Sequence, residues 1–250
     1  MVAASALAAV PSGASWDRVS SAPAGAGHRP GSPTAAGCDP LDPSLCLLPF
    51  PDNYFTVADP SSPTGLRLHF TTDQLPSNVS GVPIDPTDWN RSDGFSPGSL
   101  IMTLVPGIDL QRSGLAPITD IGRSLAPSAP AVLLDTVTRQ RVPYWAELDT
   151  WNNNPATRAL VIRPARDFTE GHRIVVALRN LRDSSGETIP ASDAFTALRD
   201  HEPRQEAEGV RSRRPSMEHI FADLARSGVE RQDLYLAWDF TIASEQGLAG

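Results

Sequence analysis

Phe168-Thr-Glu-Gly-His-Arg-Ile-Val-Val-Ala-Leu-Arg-Asn-Leu-Arg-Asp-Ser-Ser-Gly186 decides the fold class. Its centre, Ile-Val-Val-Ala-Leu, supplies the β-branched density of a well-buried strand, predicted over Arg173–Leu181. The strand is entered through the turn Phe168-Thr-Glu-Gly171 and left through Asp183-Ser-Ser-Gly186, where Gly, Asp and Ser accept turn backbone geometry. Upstream, shorter runs of the same kind lie between Pro, Gly, Asn and Asp: Gly65–Phe70, Leu100–Val105, Ala131–Asp135, Val142–Leu148 and Ala159–Ile162.

Proline enforces this reading. The chain holds 24 prolines in 250 residues, and up to residue 164 no proline-free stretch exceeds 12 residues. Because an interior proline costs a helix about 3 kcal/mol, a helical bundle is excluded. Only 165–189 and 216–250 are long enough for a substantial helix. In the second, Ser216 is placed to cap a helix over Met217–Arg226, with Met217, Ile220, Phe221, Leu224 and Ala225 on one face and Gly228 as the stop. Leu234, Leu236, Trp238, Phe240 and Ile242 then alternate with Tyr235, Ala237, Asp239 and Thr241, which predicts a half-buried strand. Ser244 follows as an N-cap with Glu245 in the first turn. The chain stops six residues later, as though inside a new element.

All 21 basic residues are arginine, a usage that reads as the codon bias of a GC-rich, actinobacteria-like genome, and 29 acidic residues bring the net charge to -8. That balance argues against nucleic-acid partners, which need clustered positive charge. The densest basic run, Arg211, Arg213 and Arg214, adjoins Glu202, Glu206 and Glu208 and reads as a solvated loop. No stretch approaches the roughly 18 apolar residues of a membrane span. Residues 1–37 are mostly Ala, Gly, Pro and Ser. Val2–Val10 is apolar, and Ser12-Gly13-Ala14 and Ala24-Gly25-Ala26 are small-x-small cleavage patterns, although no Arg precedes Arg18. The segment reads as a signal remnant with a disordered linker, which places the protein outside the cell. Cys38 and Cys46, the two cysteines, are then expected to form a local disulfide, the alternative being two buried thiols. Closing nine residues contributes at most about 2.5 kcal/mol by loop entropy.

Catalytic signals are few. Gly94-Phe95-Ser96-Pro97-Gly98 satisfies G-x-S-x-G, but the residue after the serine would supply an oxyanion N–H and Pro97 has none. The segment therefore reads as a turn presenting Phe95 to the core. None of His28, His69, His172, His201 and His219 stands in a pattern that marks a general base. Glu147 and Asp149 share a strand face beside Trp145 and Trp151; a solvated face accounts for them better than paired acid-base chemistry. Asp85-Pro-Thr-Asp88-Trp-Asn90-Arg-Ser-Asp93-Gly94 is rich in oxygen ligands, yet it is out of register with a calcium loop and ends on Ser99 where the bidentate Glu belongs. Capped turns are the simpler reading. No catalytic residue, metal ligand or cofactor is expected.

Phe168–Pro190, with its turn, strand and Asp183-x-x-Gly186-x-x-Ile189-Pro190 loop, resembles the end of bacterial Ig-like domains. Leu48-Pro-Phe-Pro-Asp-Asn-Tyr-Phe55, Asp93-Gly-Phe-Ser-Pro-Gly-Ser-Leu-Ile101, Ala159-Leu-Val-Ile-Arg-Pro164 and Ala237-Trp-Asp-Phe-Thr-Ile-Ala-Ser244 resemble the N-terminal module of secreted bacterial lipases of the virulence-factor type. The resemblance implies a mainly β protein, an Ig-like β-sandwich with long loops over 38–200. Residues 201–250 would hold an acidic loop, a short C-terminal helix, a last strand and the start of a truncated element. It also implies a non-catalytic module of a lipase/esterase-like serine hydrolase whose partner is a following α/β-hydrolase domain. The family's nucleophile, acid and His belong to that later domain. Two other readings are a stand-alone extracellular binding or adhesion module with Trp89, Trp145 and Trp151 as aromatic platforms, and a small esterase using Ser96.

Overall fold

The computed structural model describes residues 37–42, 45–200 and 208–249. Residues 1–36, which carry the signal and linker reading and His28, lie outside the described residues, as do His201, Glu202 and Glu206. Among those described are eight strands: β1 Thr56–Ala58, β2 Leu66–Leu68, β3 Ile101–Leu104, β4 Ala131–Asp135, β5 Tyr144–Leu148, β6 Ala159–Pro164, β7 Arg173–Arg179 and β8 Leu234–Thr241. Four short to medium helices accompany them: α1 Leu110–Ser113, α2 Asp193–Arg199, α3 Glu208–Arg226 and α4 Glu245–Ala249. The protein is mainly β. Each strand from β2 onward lies inside or closely overlaps a run picked out in the sequence; β1 falls in none of them.

β1 and β2 form a hairpin, while β3-β6-β5 and β4-β7-β8 form two three-stranded sheets in which every pairing is antiparallel. One hydrophobic core draws on both: Ile101, Tyr144, Leu160 and Ile162 from the first sheet, Leu133, Val176, Trp238 and Phe240 from the second. This two-sheet packing is a β-sandwich with long loops.

The second sheet has a further cover. Arg173 of β7 reaches Asp223 of α3 at 2.6 Å, so the register Arg173↔Thr241, Val175↔Asp239 and Ala177↔Ala237 turns those residues towards the helix. Their neighbours Ile174, Val176, Trp238 and Phe240 turn the other way. Small side chains at Ala177 and Ala237 suit the close approach of a helix. Met217, Ile220, Phe221 and Leu224 of α3 are buried, and Phe221 meets Phe195 of α2 edge-on at 6.1 Å.

Two expectations change here. β8 is buried on both faces: Asp239 is ion-paired with Arg173, and Thr241 accepts a hydrogen bond from Asn53 at 3.1 Å, which satisfies the polar side chains that the alternation assigned to solvent. The helix begins at Glu208, well before Ser216, and Pro215 lies inside it. Ser216 caps nothing; its hydroxyl donates to the Arg213 carbonyl at 2.8 Å. The extra turns are held by burial of Val210 and Arg213, which outweighs the one helix bond that proline removes. The C-terminal end follows expectation, with Gly228 at φ 74° accepting the left-handed geometry of the stop.

Cys38 and Cys46 form the expected disulfide, with Cα atoms 4.6 Å apart. No helix is long and apolar enough to cross a membrane among the described residues.

Candidate functional site: an apolar pocket

A pocket of about 450 Å³ opens beside the sandwich, within the size range of small-molecule sites. Its floor is Phe50, Phe70 and Phe95, part of a longer aromatic chain that continues into the core. Phe95 meets Phe50 edge-on at 5.6 Å, Phe70 at 6.4 Å and Phe240 at 6.2 Å, and Phe70 stacks on Phe55 at 5.5 Å. Leu47, Leu68, Leu75, Ile84, Trp89 and Leu248 form the walls. Trp89 and Leu248 are each about half exposed, at 49% and 46%. An accessible tryptophan against an aliphatic wall is a surface that an apolar ligand would cover.

The segments that looked catalytic or calcium-binding build this pocket. Asn90 clamps the strand end after β2: it accepts from the Phe70 N–H at 2.8 Å and donates to the Phe70 carbonyl at 2.9 Å. Asp85 caps its own turn, accepting from the Thr87 N–H at 2.9 Å and hydroxyl at 2.6 Å, and Asp88 pairs with Arg91 at 3.4 Å. The Thr87 bonds hold the exposed Asp85 carboxyl below its usual range. Buried Asp93 takes the Ser244 N–H at 3.0 Å and hydroxyl at 2.7 Å, which ties α4 to the pocket; Ser244 in turn caps α4 by accepting from Gly247 N–H at 3.0 Å. These oxygens are spent on structure. Among the described residues no group of three or more His, Cys, Asp or Glu could hold a metal.

Gly94 and Phe95 lie against the end of β8, where Phe95 N–H donates to Thr241 at 2.8 Å and Ala243 N–H returns to Phe95 at 2.9 Å. The approach is close enough that a Cβ on Gly94 would stand 2.6 Å from the Ala243 nitrogen. Glycine is required here for proximity. Phe95 enters the core, as the turn reading requires, and Ser96 is exposed at the pocket edge. Its Oγ accepts from Gly98 N–H at 3.3 Å, with no imidazole among the described residues bonded to it.

The three described histidines lie elsewhere. His69 and His219 are exposed. His172 Nδ1 is 2.8 Å from Asp135, whose other oxygen caps the turn through Val137 and Thr138 N–H. Burial alone would raise the Asp135 carboxyl, but His172 and these amides hold it below its ordinary value. This pair closes a β-turn. Glu147 is ion-paired with Arg163 on the outer face of β5 and β6, and Asp149 caps Trp151 N–H at 2.9 Å, so the two carboxylates serve different local partners. Trp151 is 96% exposed and Trp145 half-buried, and neither lines the pocket.

One charge cluster was hidden from sequence reasoning. Arg213, expected in a solvated loop, is buried and donates to Asp39 at 2.7 Å and Asp52 at 3.1 Å, with its guanidinium 5.2 Å from the Tyr54 ring. Both carboxylates are fully buried. Burial pushes the Asp52 carboxyl well up; Arg213 opposes this and Asp39 adds to it. A proton on Asp52 leaves Asp39 and Arg213 as a one-to-one pair and removes the repulsion between neighbouring carboxylates. The cluster fastens the disulfide loop, through Asp39, to α3.

Leu75, Ile84 and Leu248 are the pocket residues that sequence reasoning missed. They sit in loops and a one-turn helix with no periodicity, so only the accumulation of apolar residues between prolines could have flagged them. Comparison with protein-family models, with curated proteins and with solved structures returns no match to this chain.

Proposed function

We propose that this chain is a non-catalytic, β-rich binding module of a secreted protein, and that its pocket takes the hydrocarbon part of a small amphiphile. The observation that carries this reading is the pocket's composition: aromatic floor, aliphatic walls, and a serine at the edge with no base bonded to it among the described residues and no following N–H to activate it. A disulfide in a chain of this size supports an extracellular setting. The resemblance to the N-terminal module of virulence-factor-type lipases fits the same reading, with a following α/β-hydrolase domain as the partner. One feature favours it: the resembling segments Leu48–Phe55, Asp93–Ile101 and Ala237–Ser244 are neighbours in space, joined by the Phe50–Phe95 ring contact and the bridge Phe95↔Ile242. The Ig-like character of the sandwich belongs to this proposal too.

The test uses N-phenyl-1-naphthylamine, an uncharged apolar dye that fluoresces when shielded from water. The protein should bind it with one-site saturation. Leu75→Arg, which places a charge in the wall, should weaken binding roughly tenfold or more, while Trp151→Ala leaves it unchanged. Absence of saturable binding by the wild-type protein would overturn the proposal. Hydrolysis of p-nitrophenyl butyrate that disappears in Ser96→Ala would instead support the esterase reading.

A further inference from the structure

We infer that the pocket selects an uncharged hydrogen-bonding head group, an alcohol or an ester, over a carboxylate or an ammonium. The inference rests on the apolar-ligand reading above and concerns the polar end of the same site. No arginine or histidine lines the pocket among the described residues, although the chain holds 21 arginines. A carboxylate would therefore enter without a cation to replace its hydration, beside Asp88 and in a protein of net charge -8.

Asp88 gives little to a cation in return. Its side chain is 88% exposed and already paired with Arg91, itself 77% exposed, and pairs in that setting contribute little. The groups suited to a ligand are hydroxyls. Ser92 spends its O–H on the Gly94 carbonyl at 2.9 Å. Ser96 accepts from Gly98 N–H at 3.3 Å and keeps its own proton to give. Ser99 has no side-chain hydrogen bond among the described residues, and its N–H bonds the Ser96 carbonyl at 3.0 Å, so the two hydroxyls sit at the two ends of one tight turn on the pocket edge. A serine hydroxyl donates and accepts, which matches an alcohol or ester oxygen and fully satisfies neither ion.

Three ligands with one ten-carbon chain separate the heads: 1-decanol, decanoate and decylammonium, each titrated at neutral pH against the bound naphthylamine dye. Decanol should displace the dye at a concentration roughly tenfold below that of either ion. The double variant Ser96→Ala/Ser99→Ala should cut that preference to about threefold or less, since one or two neutral hydrogen bonds are lost, with each protein's own affinity for the dye measured first and used to normalise its displacement curves. Decanoate or decylammonium displacing as well as decanol would overturn the head-group inference and leave the apolar pocket standing. Displacement by none of the three, with the dye still bound, would overturn it as well. Failure of the dye to bind at all would overturn the underlying reading instead.

Discussion

The sheets β4-β7-β8 and β3-β6-β5 have the same strand number and the same antiparallel pairing, yet they bury their residues differently. All five residues of β4 and six of the seven in β7 are buried, whereas β5 alternates between buried Tyr144 and Ala146 and the half-exposed Trp145 and Glu147. Much of the difference comes from α2 and α3, which pack on β7 and β8 of one sheet and leave the outer face of the other to solvent. An antiparallel sheet normally keeps one wet face. Continuous apolar runs such as Val175-Val176-Ala177-Leu178 are the sign that this one does not.

The comparison can be broken at its apolar centre first. Trp238, fully buried with its Nε1–H donating to the Pro51 carbonyl at 2.8 Å, should cost about 3–5 kcal/mol when replaced by Ala. Trp145→Ala on the solvent face should cost on the order of 1 kcal/mol. Urea unfolding of the oxidised protein measures both, and equal losses would contradict the layered account. The charges give a second contrast. Arg213→Ala leaves two buried carboxylates without their cation and should cost about 3 kcal/mol or more. Arg163→Ala breaks only the half-exposed pair with Glu147 and should cost about 1 kcal/mol or less.

The smallest effect sharpens the contrast by pH. The folded-state value of Asp52 is raised above its ordinary carboxyl range, so its contribution is complete at low pH and is lost as pH climbs from that range through the raised value. The slope between the two values is about 1.4 kcal/mol per pH unit. Asp52→Asn imitates the protonated carboxyl, so the difference in stability between wild type and variant should show this decline. Identical pH profiles would refute the buried proton.

All the described strands but β1 were legible because turn residues bracket them at strand-sized intervals and because β7 has no polar residue between Ile174 and Leu178. The disulfide was legible from a signal-like N-terminal stretch followed by two cysteines as the complete set. What stayed hidden depends on partners distant in sequence. Arg213 looks solvated beside glutamates until Asp39 and Asp52, more than 150 residues away, are folded against it. Pro215 marks a helix boundary by local rules, and tertiary burial overrides them. Of the pocket, Trp89 and the aromatic Phe95 were visible, but Leu75, Ile84 and Leu248 come from irregular segments brought together only by the fold. The oxygen-rich Asp85–Gly94 loop was visible as a set of capped turns, while its role in holding the pocket wall was not.

The central claim is that this pocket is the working site of the module. Methyl-labelled protein titrated with 1-decanol and followed by NMR tests it directly. The account predicts shifts concentrated at Leu47, Leu68, Leu75, Ile84 and Leu248, which line the pocket, and none at Leu133 or Leu178 in the sheet interior. Shifts that cluster away from these methyls, or no shifts at saturating decanol, would contradict it.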